Sequence, residues 1–323
     1  MKKLLRFVNV VALSAACAFS AQAKDKVLKI GYSSKTLSAP YFAAQQAAAK
    51  EAAEKAGYKF VSTDAQNSLT KQISDVEDLL SQGIDVLLIN PKDPKGLVQA
   101  TKAATAAKVP VIIVDSSIDP SADYVTIVQS SNTANGQAIG EWLVGAVGDK
   151  DLKIGLLSGE QGNPVGQERR EGVFQGIHEA QLRKFGKTMF TVVGQGWGAW
   201  TQEGGLKAAE DLLTAHPEVN VILAENDSMN LGAIRALEAT GKKDVLVFAA
   251  ADGQKEALKL IMDGKYGATG RNDPAEIGRL SVDIGAKAAQ GKLPPNFPKL
   301  TTTEPMAITK ANVSKYYKAD AVF

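Results

Sequence analysis

The strongest constraint on the fold is a unit that recurs along the chain. Each unit is a short apolar run rich in β-branched residues, a turn, and a longer stretch with helical periodicity. Apolar runs that alternate with helices are typical of a parallel sheet covered on both faces. The unit recurs in two series, separated by a break around residues 124–132. The sequence therefore predicts two doubly wound, Rossmann-like α/β lobes in tandem.

Each series contains four predicted strands and the helices that follow them. In the first series the strands are residues 27–32, 58–61, 86–90 and 111–115, and the helices lie near 41–56, 69–82 and 95–107. In the second the strands are residues 153–157, 190–193, 219–224 and 245–250, and the helices lie near 166–184, 203–215, 229–240 and 255–263. A further helix is predicted over residues 274–291, followed by a proline-rich turn and an irregular tail.

The first residues have the pattern of a secretory signal peptide. Residues 1–6 carry three positive charges, residues 7–19 are largely apolar, and Ala21 and Ala23 form an A-x-A cleavage site. We expect residues 1–23 to direct export to the periplasm and to be removed after about Ala23. Loss of the three charges changes the formal net charge from +2 to −1, so charge favours neither nucleic acid nor an anionic membrane as a partner.

The single cysteine, Cys17, lies within this leader and offers an alternative. A lipoprotein would begin at this cysteine and usually has Leu three residues before it, where this chain has Ser14. The A-x-A site matches better. With cleavage after Ala23 the mature chain has no cysteine, which excludes disulfides, thiolate catalysis and cysteine-based metal sites.

Short polar residues follow the predicted strands in both series. Asn90 and Asp115 stand in the first series, and Asn226-Asp227 and Asp252 in the second. Ligands of doubly wound sheets bind beyond the carboxyl ends of the strands, so these positions predict a site between the lobes. The alternative is that each is an ordinary helix N-cap.

Catalytic motifs are not apparent. The histidines, His178 and His216, have no evident nucleophile or acid partner nearby in the sequence, and residues 194–198 lack the G-x-G-x-x-G spacing of a dinucleotide site. The sequence also has no H-E-x-x-H motif, P-loop or clustered aspartate ligands. We expect a binding protein rather than an enzyme, without a metal or a cofactor.

Several segments, taken in order, resemble the ribose-binding branch of the periplasmic sugar-binding proteins, which have the type I periplasmic binding protein fold. The similarity extends over essentially the whole mature chain. It is carried by residues 30–42, Leu88-Ile89-Asn90-Pro91, residues 111–115, residues 167–172, residues 212–217, Asn226-Asp227, Ala251-Asp252-Gly253 and Asp273-Pro274.

The resemblance implies a set of ligand-binding residues. Aromatic rings at Tyr41, Phe42 and Trp200 would cover the two apolar faces of a sugar ring. Polar contacts to its hydroxyl groups would come from Asn90, Asp115, Arg169, Asn226, Asp252 and Asn272. A hydroxyl donates and accepts, so a carboxylate and a guanidinium can bind it from two sides.

Two positions depart from the family pattern. Ser116 stands where the family often has Arg, and Ala39 where it often has Asn. Loss of a charged donor and an amide predicts a monosaccharide or a sugar-like polyol other than ribose. Lys35, Ser116 and Asn163 are possible additional ligand-binding residues.

The resemblance also implies the domain limits and the partners. The N-terminal lobe would comprise residues 24–130 and 273–300, and the C-terminal lobe residues 131–272 and 301–323. Three crossings, near 130–132, 272 and 300, would form a three-stranded hinge. The expected role is that of a monomeric solute-binding protein of an ABC importer, whose permease docks on both lobe tips. A partner chemoreceptor or sensor kinase is the alternative; a repressor would need an N-terminal helix-turn-helix.

Overall fold

The computed structural model describes residues 27–323. The predicted signal peptide, residues 1–23, lies outside these residues together with Cys17 and the expected cleavage site. Within residues 27–323 no helix has the length and apolar character needed to cross a membrane.

The N-terminal lobe is built on a sheet of six strands in which every neighbouring pair is parallel. With elements numbered along the chain, the sheet order is β11-β5-β4-β3-β1-β2. The strands are β1 (Lys29–Ser34), β2 (Lys59–Asp64), β3 (Val86–Ile89), β4 (Val111–Val114), β5 (Thr126–Ser130) and β11 (Leu300–Thr303). The helices of this lobe are α1 (Pro40–Lys55), α2 (Leu69–Ser81), α3 (Val98–Ala106) and α9 (Pro274–Ala289).

The C-terminal lobe repeats the arrangement with the order β12-β10-β9-β8-β6-β7, in which only the β12–β10 pair is antiparallel. Its strands are β6 (Leu152–Ser158), β7 (Phe190–Trp197), β8 (Val221–Ala224), β9 (Leu246–Asp252), β10 (Ala268–Arg271) and β12 (Ala307–Thr309). Its helices are α4 (Asn132–Val147), α5 (Pro164–Phe185), α6 (Gln202–Ala215), α7 (Asp227–Thr240) and α8 (Lys255–Asp263), with a 3-10 turn at Val313–Lys315.

The central strands explain why the lobes form. All four residues of β3, β4 and β8 are buried apolar side chains. Such strands need helices on both faces, and each lobe has an apolar cluster on either side of its sheet. The prediction of two doubly wound α/β lobes with the type I periplasmic binding protein fold is confirmed.

The sheet topology also determines where a ligand site can form. In each lobe the first strand lies between the second and third, so the chain order reverses beside β1 and beside β6. Loops that leave neighbouring strands in opposite directions open a crevice at that point. The loops after β1, β3 and β4 begin with Lys35, Asn90 and Asp115, which brings these residues to one edge of the N-terminal sheet.

The chain crosses between the two sheets three times. The crossings lie between β5 and α4, between β10 and α9, and between β11 and β12. The third crossing differs from the expectation near Leu300, because Leu300–Thr303 pairs with β5 and extends the N-terminal sheet by one strand. The chain leaves this lobe after Thr303.

Several elements near the hinge were not predicted. Strand β5 lies in the stretch that we interpreted as a break between the two series, and helix α4 follows it directly. Strands β10, β11 and β12 were not predicted either. Strand β10 is short and includes glycine and arginine, which gives a weak strand signal. Helix α4 contains Gly136, Gly140 and Gly145, which lower helix propensity.

Candidate functional site

A cavity of about 340 Å³ lies between the lobes and receives residues from both. This volume is in the range of small-molecule sites. It brings together eleven of the twelve residues singled out in the sequence. They are Lys35, Tyr41, Phe42, Asp115, Ser116, Asn163, Arg169, Trp200, Asn226, Asp252 and Asn272.

A row of polar side chains in close contact runs along the cavity from one lobe to the other. The Tyr41 hydroxyl donates to Asp115 Oδ1 at 2.7 Å and lies 2.9 Å from Asn272 Oδ1. Asn272 Nδ2 in turn donates to Asp252 Oδ1 at 2.8 Å. Asp115 follows β4 in the N-terminal lobe, whereas Asp252 ends β9 in the C-terminal lobe. The two carboxylates are therefore linked through a tyrosine and an amide.

Arg169 is the central cation of the C-terminal lobe. Its Nη2 lies 2.8 Å from Asp252 Oδ1, and both side chains are about nine-tenths buried. Its Nε donates to Asn132 Oδ1 at 3.1 Å and its Nη1 to the carbonyl oxygen of Glu225 at 2.9 Å. These contacts hold the planar guanidinium in one orientation, with Asp252 fixed beside it.

Asp227, the first residue of α7, supports the loop that carries Asp252. Its Oδ2 accepts from the backbone N–H groups of Asp252, Gly253 and Gln254 at 2.7–3.1 Å. Its Oδ1 accepts from the Tyr266 hydroxyl at 2.7 Å. Burial raises the pKa of Asp227, and the nearby carboxylate of Asp252 raises it further. Asp227 is buried and positions the loop from behind the cavity.

Trp200 provides the aromatic wall of the C-terminal lobe. Its backbone has φ = 63°, a left-handed conformation that is uncommon for residues other than glycine. Its ring lies over Gly159, where a Cβ atom would overlap the indole, so only glycine leaves room for it there. The Arg169 guanidinium carbon lies 5.8 Å from the ring centroid. Strained backbone of this kind is found where a side chain is held for function.

The N-terminal lobe contributes the opposing aromatic pair. Tyr41 and Phe42 begin α1 after Pro40 and pack edge to face, with ring centroids 5.2 Å apart and an interplanar angle of 84°. Both line the cavity. The Lys35 ammonium lies 4.3 Å from the centroid of the Phe42 ring.

Lys35 lies next to Ser116, the position at which the family often has Arg. Its Nζ lies 3.2 Å from Ser116 Oγ. Burial lowers the pKa of the Lys35 ammonium, and the carboxylate of Asp115 opposes that shift. A charged donor therefore reaches the loop after β4 from the loop after β1.

Asn90 is the one predicted ligand-binding residue that does not line the cavity. It is fully buried, and its Nδ2 donates to the carbonyl oxygen of Val114 at 2.8 Å and to Ser116 Oγ at 3.2 Å. Its amide thus supports the loop that carries Asp115 and Ser116 instead of facing the cavity. The reason is that β3 and β4 are neighbours, so an amide at the end of β3 reaches the backbone of β4 first.

The N-cap alternative applies to two residues that also face the cavity. Asn226 Oδ1 accepts from the Met229 N–H at the start of α7, and its Nδ2 donates to the carbonyl oxygen of Trp200. Asn163 Oδ1 accepts from the Val165 N–H at the start of α5. Each of these two side chains therefore caps a helix and also lines the cavity.

Other lining residues were not singled out in the sequence. Glu160 follows β6 and could have been found by the strand-end rule, whereas Gln254 lies two residues beyond Asp252. Phe323 is far from every motif, and no sequence signal indicates that it reaches the cavity. Within residues 27–323 no group of three or more His, Cys, Asp or Glu side chains is arranged to hold a metal ion.

The charged side chains around the cavity balance. The lining includes three cations, Lys35, Lys92 and Arg169, and three acids, Asp115, Glu160 and Asp252. Burial raises the pKa of Asp115, an effect that Lys35 and the hydrogen bond from Tyr41 oppose. Burial also raises the pKa of the Tyr41 hydroxyl, with the Asp115 carboxylate adding to the shift. The tyrosine therefore remains a neutral hydrogen-bond donor at ordinary pH.

Comparisons with known proteins agree with this geometry. The family described as periplasmic binding protein domain matches residues 30–293. The ribose import binding protein of Salmonella typhimurium is 35% identical over 292 residues, which cover 90% of this chain and 94% of that protein.

Two solved structures are similar over nearly their whole length. An ABC transporter solute-binding protein from Mycobacterium smegmatis with bound glycerol has 35% identity and a TM-score of 0.81, covering 92% of this chain and 99% of that one. A counterpart from Bacillus halodurans with bound myo-inositol has 28% identity and a TM-score of 0.80, covering 93% and 100%. Fold, cavity and sequence together show that the chain belongs to the type I periplasmic binding proteins, the family of ABC-transporter solute-binding proteins.

Proposed function

We propose that this protein binds an uncharged monosaccharide or polyol between its lobes, closes on it, and delivers it to an ABC permease. The observation that carries the proposal is the row of polar contacts Asp115–Tyr41–Asn272–Asp252–Arg169, which is flanked by aromatic rings from both lobes. Alternating donors and acceptors suit vicinal hydroxyl groups, and the rings suit the C–H faces between them.

The charge balance supports an uncharged ligand. Three cations and three acids line the cavity, and Arg169 is already paired with Asp252. A ligand with a carboxylate or an ammonium group would leave one buried charge without a partner, which is costly in a low-dielectric site. A neutral polyhydroxy compound can accept hydrogen bonds from the cations and donate hydrogen bonds to the acids without adding a charge.

The environment of Ser116 supports a ligand other than ribose. Ser116 Oγ contacts Lys35 and Asn90. Where the family often has the forked guanidinium of an arginine, this chain thus has a small hydroxyl, with the Lys35 ammonium reaching it from another loop. Ala39 also lines the cavity and offers no amide. Ser116 and Ala39 therefore change the hydrogen-bond pattern of the cavity, and both side chains are smaller than the Arg and Asn that the family often has at these positions.

The leader supports export. We infer that residues 1–23 direct the chain to the periplasm, where it acts as a monomer, binds its ligand and releases it chemically unchanged. Closure would bring the outer surfaces of both lobes into one arrangement that a permease can recognise, because only the closed state forms contacts from both lobes to the ligand.

A thermal-shift screen tests the proposal. Pentoses, hexoses, deoxysugars and four- to six-carbon polyols are added to the mature protein and to its Asp252→Asn variant. A ligand that binds only the folded state raises the melting temperature, by an amount equivalent to about 2.7 kcal/mol at a hundredfold excess over Kd. We expect at least one carbohydrate to stabilise the wild type and not the variant. Failure of every carbohydrate would refute the assignment.

A further inference from the structure

The segment of residues 318–323, which we term the tail, contacts both lobes. Lys255 at the start of α8 donates from Nζ to the carbonyl oxygen of Ala321 at 2.6 Å. Two residues later the ring of Phe323 packs edge-on against Tyr41 of α1, with centroids 5.2 Å apart and an interplanar angle of 87°. The tail is thus held on the C-terminal lobe and ends on the N-terminal lobe.

The last two residues of the tail face opposite ways. Val322 is 71% exposed, whereas Phe323 is partly buried and lines the cavity. The Tyr41 ring meets Phe42 and Phe323 edge to face in nearly equal geometry, and its hydroxyl lies between Asp115 and Asn272. Phe323 therefore bounds the cavity and packs against a ring that takes part in its polar network.

We propose that Phe323 is a specificity-determining residue whose ring forms the cavity wall at the Tyr41 end and sets the size of the ligand. This inference rests on the proposed function. A ring that fills this end excludes a ligand with an additional carbon or hydroxyl there, because close-packed walls yield little. Since Lys255 holds the tail on the opposite lobe, the wall is complete only when the lobes are closed.

The test compares Phe323→Ala with Val322→Ala, a matched change at the neighbouring exposed residue. Glycerol, D-ribose, D-allose and myo-inositol are titrated calorimetrically into each protein. We expect Phe323→Ala to raise the Kd of the tightest wild-type probe roughly 3- to 10-fold, as expected for the loss of one aromatic contact. We also expect it to shift the affinity ratio toward the larger probes. Val322→Ala should leave both unchanged, and Phe323→Tyr should restore the wild-type ratio.

The outcomes separate this inference from the function on which it rests. If the wild type binds a probe and Phe323→Ala keeps the wild-type ratios, Phe323 does not determine specificity and the proposed function stands. If all affinities fall by one factor, the ring only supports Tyr41, which also overturns the inference. If no carbohydrate binds the wild type, both proposals fall. Phe323→Leu replaces the alanine variant should that variant not fold.

Discussion

At the scale of single residues, Asp115 is held in an environment that disfavours its charge. Its backbone has φ = 68°, which is uncommon for a residue other than glycine. Burial raises the pKa of its carboxyl group, and Lys35 and Tyr41 oppose this only in part. An accepting carboxylate is thus kept where a ligand hydroxyl can donate, at the expense of stability in the free protein.

Replacement of Asp115 by Asn should remove the cost of burying this charge. The pKa of the carboxyl is higher in the folded than in the unfolded chain, so the contribution of this group to stability is fully present below the unfolded pKa and is lost as pH rises through the folded pKa. The variant does not ionise at this position. We therefore expect its ligand-free melting temperature, relative to wild type, to be higher at pH 8 than at pH 4, while carbohydrate binding is weakened.

Asp119→Asn is the control for this prediction, with the opposite sign. Hydrogen bonds from the backbone and side chain of Ser121 lower the pKa of Asp119, so its contribution to stability is present above the unfolded pKa and is lost in acid. The measurement is the melting temperature of each variant relative to wild type at pH 4 and at pH 8. A difference between Asp115→Asn and wild type that does not change with pH would contradict the interpretation.

At the scale of elements, two helices in close contact position the central cation. Helices α4 and α5 approach so closely that a Cβ atom at Gly136 would lie 2.5 Å from the carbonyl oxygen of Arg169. Gly136 and Gly140, which lower the helix propensity of α4, are therefore what allow it to pack against α5. Arg169 enters the cavity from that packed helix, with Asn132 of α4 accepting from its Nε.

Gly136→Ala should consequently be destabilising. A methyl group pressed against backbone cannot be relieved by a side-chain rotation, and overpacking of this kind costs about 1–3 kcal/mol. The matched control is Gly145→Ala in the same helix, where a Cβ atom would meet nothing within 4 Å. That change should stabilise by up to about 0.5–1 kcal/mol. Urea unfolding measures both, and equal stability of the two variants would contradict the prediction.

At the scale of the whole molecule, three crossings of the chain join the two lobes, and we propose that they act as the hinge about which the lobes close. Tyr41 and Phe42 belong to the N-terminal lobe, whereas Arg169 and Trp200 belong to the C-terminal lobe. A ligand that contacts both sets favours the closed arrangement, by as much as its affinities for the two arrangements differ.

Trp200 should report this closure by fluorescence. Of the three tryptophans, only Trp200 lines the cavity, whereas Trp142 packs against Phe248 and Trp197 is 43% exposed on an edge strand. We expect ligand to change the emission of the wild type and of the Trp142→Phe and Trp197→Phe variants. Trp200→Phe should bind without the change. A ligand response that survives in Trp200→Phe would place the signal elsewhere.

The two-lobed α/β architecture could be predicted from the amino-acid sequence, because continuously apolar strands such as β3, β4 and β8 can be buried only between helices. The strand-end positions Asp115, Asn226 and Asp252 could also be predicted, since strand ends in a doubly wound sheet meet at one edge. The other predicted lining residues followed from the resemblance to the periplasmic sugar-binding proteins. Tertiary structure decided the rest. Asn90 lies behind the cavity because it reaches the backbone of β4 first, Leu300–Thr303 joins the N-terminal sheet by pairing with β5, and Phe323 reaches Tyr41 through a contact 282 positions distant in the chain. Such contacts depend on which elements become neighbours in space, which local periodicity does not record.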